Sequence, residues 1–132
     1  MRISLNYASI LVVDDDELIV HFFKLILEEI GYDVATAFTG AEAIEKASSK
    51  EIDLAILDYK LTDTTRDILA VKLQDINDKT GFVFVTGYSE ARDIILNKKL
   101  SNHVVVKPIK DDVLINTVEL ALHEPRAIMK GR

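Results

Sequence analysis

Short runs of aliphatic and β-branched residues alternate along the chain with longer stretches of helical period. The apolar runs are Ile10–Val13, Asp33–Ala37, Leu54–Leu57, Phe82–Thr86 and Val104–Val106. Most are nearly uninterrupted, as expected of parallel strands covered on both faces. Between and after them the spacing predicts helices over Asp16–Ile30, Gly40–Ser49, Arg66–Ile76, Ser89–Asn97 and Asp111–His123. In the first, Ile19, Phe23, Ile26 and Ile30 form one core-facing stripe, and Phe22 is assigned to the core with Phe23. Asp16 precedes that helix as an N-cap and Gly31 follows it at the C-terminal cap. The last carries Leu114, Val118, Ala121 and Leu122 in register, has Asp111 or Asp112 near its start, and stops at Pro125. The order is (βα)5, an α/β class with a doubly wound five-stranded parallel sheet.

In such a sheet, ligands sit beyond the carboxyl ends of the strands. The residues arriving there are Asp14, Asp15 and Asp16 after the first strand, Asp58 after the third, Thr86 at the end of the fourth and Lys107 after the fifth. The second strand brings only Phe38 and Thr39. Two unit charges 4 Å apart repel by about 4 kcal/mol at an effective dielectric of 20, so three converging carboxylates call for a cation. Hard oxygen donors suit Mg²⁺ or Mn²⁺, with water and a substrate phosphate completing an octahedron. The Thr86 hydroxyl and the Lys107 ammonium are suited to the remaining phosphoryl oxygens. The set reads as a phosphoryl-transfer site.

Composition narrows the setting. The 132 residues correspond to one domain, and 48% hydrophobic with 29% charged residues is a globular balance. A net charge of -6 argues against nucleic acid or an anionic membrane as the main partner. Cysteine is absent, which removes disulfides, thiolate metal sites and cysteine nucleophiles. No run approaches the ~18 apolar residues of a membrane span, and the start lacks a signal peptide's apolar stretch, so a cytoplasmic location is expected. His21, His103 and His123 make no metal-binding spacing and are read as surface or internally satisfied side chains.

The motifs Ile10-Leu11-Val12-Val13-Asp14-Asp15-Asp16-Glu17, Gly31-Tyr32-Asp33-Val34 with Ala37, Gly40-Ala41-Glu42-Ala43, Leu54-Ala55-Ile56-Leu57-Asp58, Phe84-Val85-Thr86-Gly87 and Lys107-Pro108 occur in this order. Together they resemble the response-regulator receiver domain of two-component signalling, with its chemotaxis-regulator-like fold. The resemblance implies a flavodoxin-like strand order 2-1-3-4-5, with a receiver over 9–123, an N-terminal extension over 1–8 and a basic tail over 124–132. It implies that Asp58 is the phosphoacceptor, taking a phosphoryl group from a sensor histidine kinase or phosphotransfer protein. Asp15 and Asp58 would ligate Mg²⁺ directly, Asp14 through water, and Lys60 through its backbone carbonyl. Thr86 and Lys107 would bind the phosphoryl group, Thr86 moving toward it as a switch. The bond before Pro108 would be cis. Lys60 and Tyr88 would modulate hydrolysis of the acyl phosphate, bulky Tyr88 screening it from water. Implied partners also include a downstream output protein or domain, with the chain a monomer or a phosphorylation-dependent dimer. The protein would be a signalling phosphoacceptor that catalyses only its own phosphorylation and dephosphorylation, and its 132 residues leave no output domain.

Two positions depart from the family pattern. Val104 stands where the family usually has a switching Tyr or Phe, and a valine cannot make that rotamer swing. The segment from Asp58 to Arg66 lacks the usual proline at Thr62 and the usual glycine near Arg66, which predicts a looser or differently kinked loop. Two rivals remain at this point. One is a degenerate receiver that binds partners without phosphorylation, as Val104 suggests. The other is a haloacid-dehalogenase-like phosphatase with Asp14 as nucleophile, although Leu18 breaks its motif and Asp111-Asp112 follows the lysine too soon.

Overall fold

The computed structural model describes residues 8–58, 61–87 and 103–123. Five strands, β1 (Ser9–Val13), β2 (Asp33–Ala37), β3 (Leu54–Asp58), β4 (Gly81–Thr86) and β5 (Val104–Val106), form one sheet. Its order is β2-β1-β3-β4-β5 and every pairing is parallel. This is the flavodoxin-like order, and the strand bounds lie within one residue of those predicted. Four helices are described, α1 (Glu17–Ile30), α2 (Gly40–Ser49), α3 (Arg66–Ile76) and α4 (Asp111–Leu122). The helix expected over Ser89–Asn97 lies outside the described residues, as do residues 1–7 of the extension expected over 1–8 and the tail over 124–132.

Strand alternation divides the interior in two. Ile10, Val12, Ile56, Val83 and Val85 meet Val20, Phe23 and Leu27 of α1 and Leu114, Val118 and Ala121 of α4 on one face. Leu11, Val13, Leu57, Phe82 and Phe84 meet Ala43 of α2 and Leu69, Ala70 and Leu73 of α3 on the other. Both faces of β1, β3 and β4 are therefore dry, which is why these strands lack a polar alternation.

The caps explain the helix limits. Asp16 accepts the Leu18 amide at 3.0 Å, and Thr65 accepts the Ile68 amide at 3.4 Å. Gly31 closes α1 with φ 125°, a backbone region that glycine enters without a Cβ clash. At α2, Thr39 accepts the Glu42 amide at 3.1 Å while Glu42 reaches back to the Phe38 amide at 2.6 Å. Thr39-x-x-Glu42 has the spacing of a capping box, with the glutamate here accepting the amide one residue before the N-cap.

The predicted face of α1 needs correction. Its buried line runs through Val20, Phe23 and Leu27, with Ile19 and Ile26 packed at its margin. Ile30 and Phe22 are exposed. Because Leu18 through Leu27 is almost wholly apolar, several helical stripes compete, and contact with the sheet and α4 selects among them. In α4, Leu114, Val118 and Ala121 are buried as expected and Leu122 packs at the edge.

Candidate functional site

Parallel pairing places the carboxyl ends of β1, β3, β4 and β5 side by side. Val13 is in register with Leu57, Asp58 with Val85, and Thr86 with Val106. The chain therefore delivers Asp14, Asp58, Thr86 and Lys107 to one edge. One carboxylate oxygen from each of Asp14, Asp15 and Asp58 lies within 4.8 Å of the others. Asp14 and Asp58 are buried and Asp15 is exposed, so the cluster opens to solvent on one side.

Lys107 ties the buried pair together, with Nζ 3.2 Å from Asp14 Oδ2 and 3.1 Å from Asp58 Oδ1. It is held there by the start of the β5–α4 connection, where the Lys107 amide donates to the Thr86 carbonyl at 2.7 Å. The following bond to Pro108 is cis, as expected. Asp14 is fixed from its own strand end: its amide donates to the Ala37 carbonyl at 3.2 Å, and its Oδ1 accepts the Asp16 amide at 2.9 Å.

Burial dominates the electrostatics. It raises the Asp14 carboxyl to about 6, and the neighbouring Asp58 charge pushes the same way. The Asp16 amide and Lys107 oppose that rise without cancelling it. Lys107 is raised above its ordinary value; partial burial opposes the charge, and the two carboxylates outweigh it. The site thus holds more negative charge than its own lysine neutralises.

The donor set fits a small hard cation. An octahedral ion with metal–oxygen distances near 2.1 Å places ligand oxygens about 3 Å apart when adjacent and about 4.2 Å apart when opposed. The spacing of the three carboxylates is compatible with that shell after small side-chain rotations. Among the described residues this is the one cluster of three or more acidic or histidine side chains arranged to hold a metal ion.

The remaining predicted residues are placed as follows. Thr86 is fully buried at the last position of β4. Val104 stands beside Phe84 in register on β5 and packs on the α2–α3 face. Lys60 and Tyr88 lie outside the described residues.

Two further residues near the site were not singled out by the sequence. Asp63 accepts the first two amides of α2, and Arg66 is 1% exposed with its guanidinium 5.0 Å from the Phe84 ring centroid. Both act across the fold, so no local spacing marks them.

Comparison with known proteins agrees with this architecture. A family model described as the response regulator receiver domain matches residues 10–119. The alkaline phosphatase synthesis transcriptional regulatory protein PhoP of Bacillus subtilis is 35% identical over 101 residues, 76% of this chain and 42% of that protein. The CAI-1 autoinducer sensor kinase/phosphatase CqsS of Vibrio cholerae is 28% identical over 119 residues, 87% of this chain and 17% of that protein. The chain thus spans less than half the length of either curated relative. Among solved structures, a CheY-like receiver domain protein from Methanospirillum hungatei superposes with a TM-score of 0.80 at 31% identity, covering 89% of this chain and 94% of that one. A two-component response regulator from Clostridium difficile gives 0.80 at 26% identity, covering 89% and 97%. With the sheet order, the acidic edge and the family match in agreement, this chain belongs to the response regulator receiver domain family.

Proposed function

We propose that this receiver takes a phosphoryl group onto Asp58 from a phosphohistidine on a sensor histidine kinase or phosphotransfer protein, and passes the change to an output protein or domain. The observation that supports the reading most strongly is the Lys107 ammonium, within 3.2 Å of both Asp14 and Asp58 beside a third carboxylate. An Asp58 oxygen attacks phosphorus in line. The P–N bond breaks, its electron pair returns to the imidazole, and an acyl phosphate remains. Water later attacks the same phosphorus, and the O–P bond breaks to release inorganic phosphate and the Asp58 carboxylate.

Asp15 and Asp58 would hold Mg²⁺ directly and Asp14 would do so through water, with the backbone carbonyl of Lys60 as a further ligand. The bound ion would neutralise carboxylate charge and stabilise negative charge on the phosphoryl oxygens. Lys107 would pair with one of those oxygens, and the Thr86 hydroxyl would bond another and report its arrival. Tyr88 would shield the acyl phosphate from water. In this reading the protein is a signalling module that acts on no substrate beyond its own phosphoryl group. Neither rival is favoured: the family match and fold are those of receivers, and the whole acidic set is present.

Incubation with acetyl phosphate and Mg²⁺, followed by intact-mass measurement, tests the proposal. The wild type should gain one phosphoryl group and Asp58→Asn none. A wild type that gains nothing would defeat the reading.

A further inference from the structure

Asp63 lies on the connection between β3 and α3 and is exposed, yet it makes two long-range hydrogen bonds. Its Oδ1 accepts the Gly40 amide at 2.8 Å and its Oδ2 the Ala41 amide at 3.0 Å. The first four amides of an α-helix have no partner within the helix. In α2 the Glu42 amide goes to Thr39 Oγ1, and the Ala43 amide begins the regular helical ladder by donating to the Thr39 carbonyl. Asp63 takes the Gly40 and Ala41 amides, with the negative charge placed where the helix dipole favours it.

The contact is close as well as polar. A Cβ at position 40 would stand 2.5 Å from Thr64 Cγ2 and 3.2 Å from Asp63 Oδ1, so glycine is what lets the connection lie against the helix start. The two amide bonds also hold the Asp63 carboxyl below the usual carboxylate range.

On either side of Asp63 the connection is anchored again. Leu61 is buried on the α2–α3 face and its amide donates to the Thr64 carbonyl at 3.3 Å. Thr65 caps α3. Residues 61–65 are thus held at three points, while Asp58, at the other end of the same connection, is held by β3.

We propose that Asp63 is a positioning residue for the phosphoryl-transfer site: bonded to the start of α2, it holds the connection leaving Asp58 and so presets the acidic cluster for a divalent cation. This rests on the phosphoacceptor reading above. Loss of the tether frees the connection at residues 61–65, and metal binding must then restrain it. Metal affinity falls, while the reaction at saturating metal is preserved.

The test is Mg²⁺ titration of the folded protein by calorimetry, alongside acetyl phosphate kinetics. Asp63→Ala should weaken Mg²⁺ binding on the order of tenfold, as outer-shell substitutions do. Asp63→Asn, which keeps one acceptor oxygen, should fall between it and the wild type. Thr39→Ala is the control, because it removes another cap from the same helix without touching residues 61–65. It should lower the melting temperature yet leave the affinity unchanged. The phosphorylation rate of Asp63→Ala should return to the wild-type maximum at high Mg²⁺.

Affinity of Asp63→Ala within about twofold of wild type, against the tenfold typical of outer-shell changes, overturns the inference. An equal loss in Thr39→Ala does the same. A wild type that binds no Mg²⁺ overturns the parent reading and this inference with it.

Discussion

Lys107 Nζ stands 3.1 Å from Asp58 Oδ1, and the same ammonium reaches Asp14 Oδ2 at 3.2 Å. One cation thus holds two buried carboxylates that would otherwise repel, and in the proposed reaction it pairs with the phosphoryl oxygens on Asp58. Lys107→Met retains the alkyl stem and removes the charge. Its phosphorylation by acetyl phosphate should slow by about 100-fold, the loss typical of one charge-stabilising donor. Intact-mass time courses measure this, and a rate within about threefold of wild type would show that Lys107 does not serve the transfer.

The Asp14 carboxyl titrates at about 6 in the folded protein against 3.8 as its ordinary value. The folded state therefore retains a proton that the unfolded chain has lost. The resulting stabilisation is complete below pH 3.8 and disappears as pH rises through 6. Its size is on the order of 3 kcal/mol. Asp63, whose carboxyl is lowered, has the opposite sign and acts below that window. Lys107, raised above 10.5, acts far above it. In chelator the melting temperature should fall between pH 4 and 6 by the Asp14 contribution. Mg²⁺ should offset that fall by binding the ionised cluster. Calorimetric scans across this range with and without Mg²⁺ provide the comparison, and identical curves would refute the coupling.

Arg66 opens α3 with its side chain 1% exposed and its guanidinium over Phe84. It occupies the sheet face that carries Thr86 at the end of β4. Truncation removes both volume and the contact with the ring. Arg66→Ala should destabilise by about 3 kcal/mol. Arg66→Met, which preserves the stem over the ring, should recover at least half of that loss. Urea unfolding of the two variants decides the point; equal losses would assign the cost to the charge rather than to the packing.

Gly31 ends α1 at φ 125° while its amide donates to the Leu27 carbonyl at 3.2 Å. Alanine cannot take that conformation without strain, so Gly31→Ala should cost about 1–2 kcal/mol and leave phosphorylation unchanged. Thermal melting and the acetyl phosphate assay separate the two effects.

The strands were legible because burial on both faces demands continuous apolar runs, and Ile10–Val13 and Leu54–Leu57 carry little else. The acidic edge was legible because each of Asp14, Asp58, Thr86 and Lys107 closes or follows such a run. The buried face of α1 was not. With Leu18, Ile19, Val20, Phe22, Phe23, Leu25, Ile26 and Leu27 on one helix, the apolar face is broad, and local spacing does not say which line within it meets the sheet. The anchors of the connection after Asp58, at Leu61, Asp63 and Thr65, were not legible either.

The sequence by itself determined the alternation of strands and helices, their limits, and which residues arrive at the carboxyl edge. Those features depend on local period, capping chemistry and chain direction. Only the tertiary structure decided that Asp14 is buried while Asp15 faces solvent, that Lys107 bridges Asp14 and Asp58, that Asp63 caps a helix 23 residues earlier, and that Arg66 lies on Phe84. Each of these depends on which elements the order β2-β1-β3-β4-β5 sets side by side. Contact between residues distant in the chain depends on the packed geometry of the sheet and its helices, which local spacing does not encode.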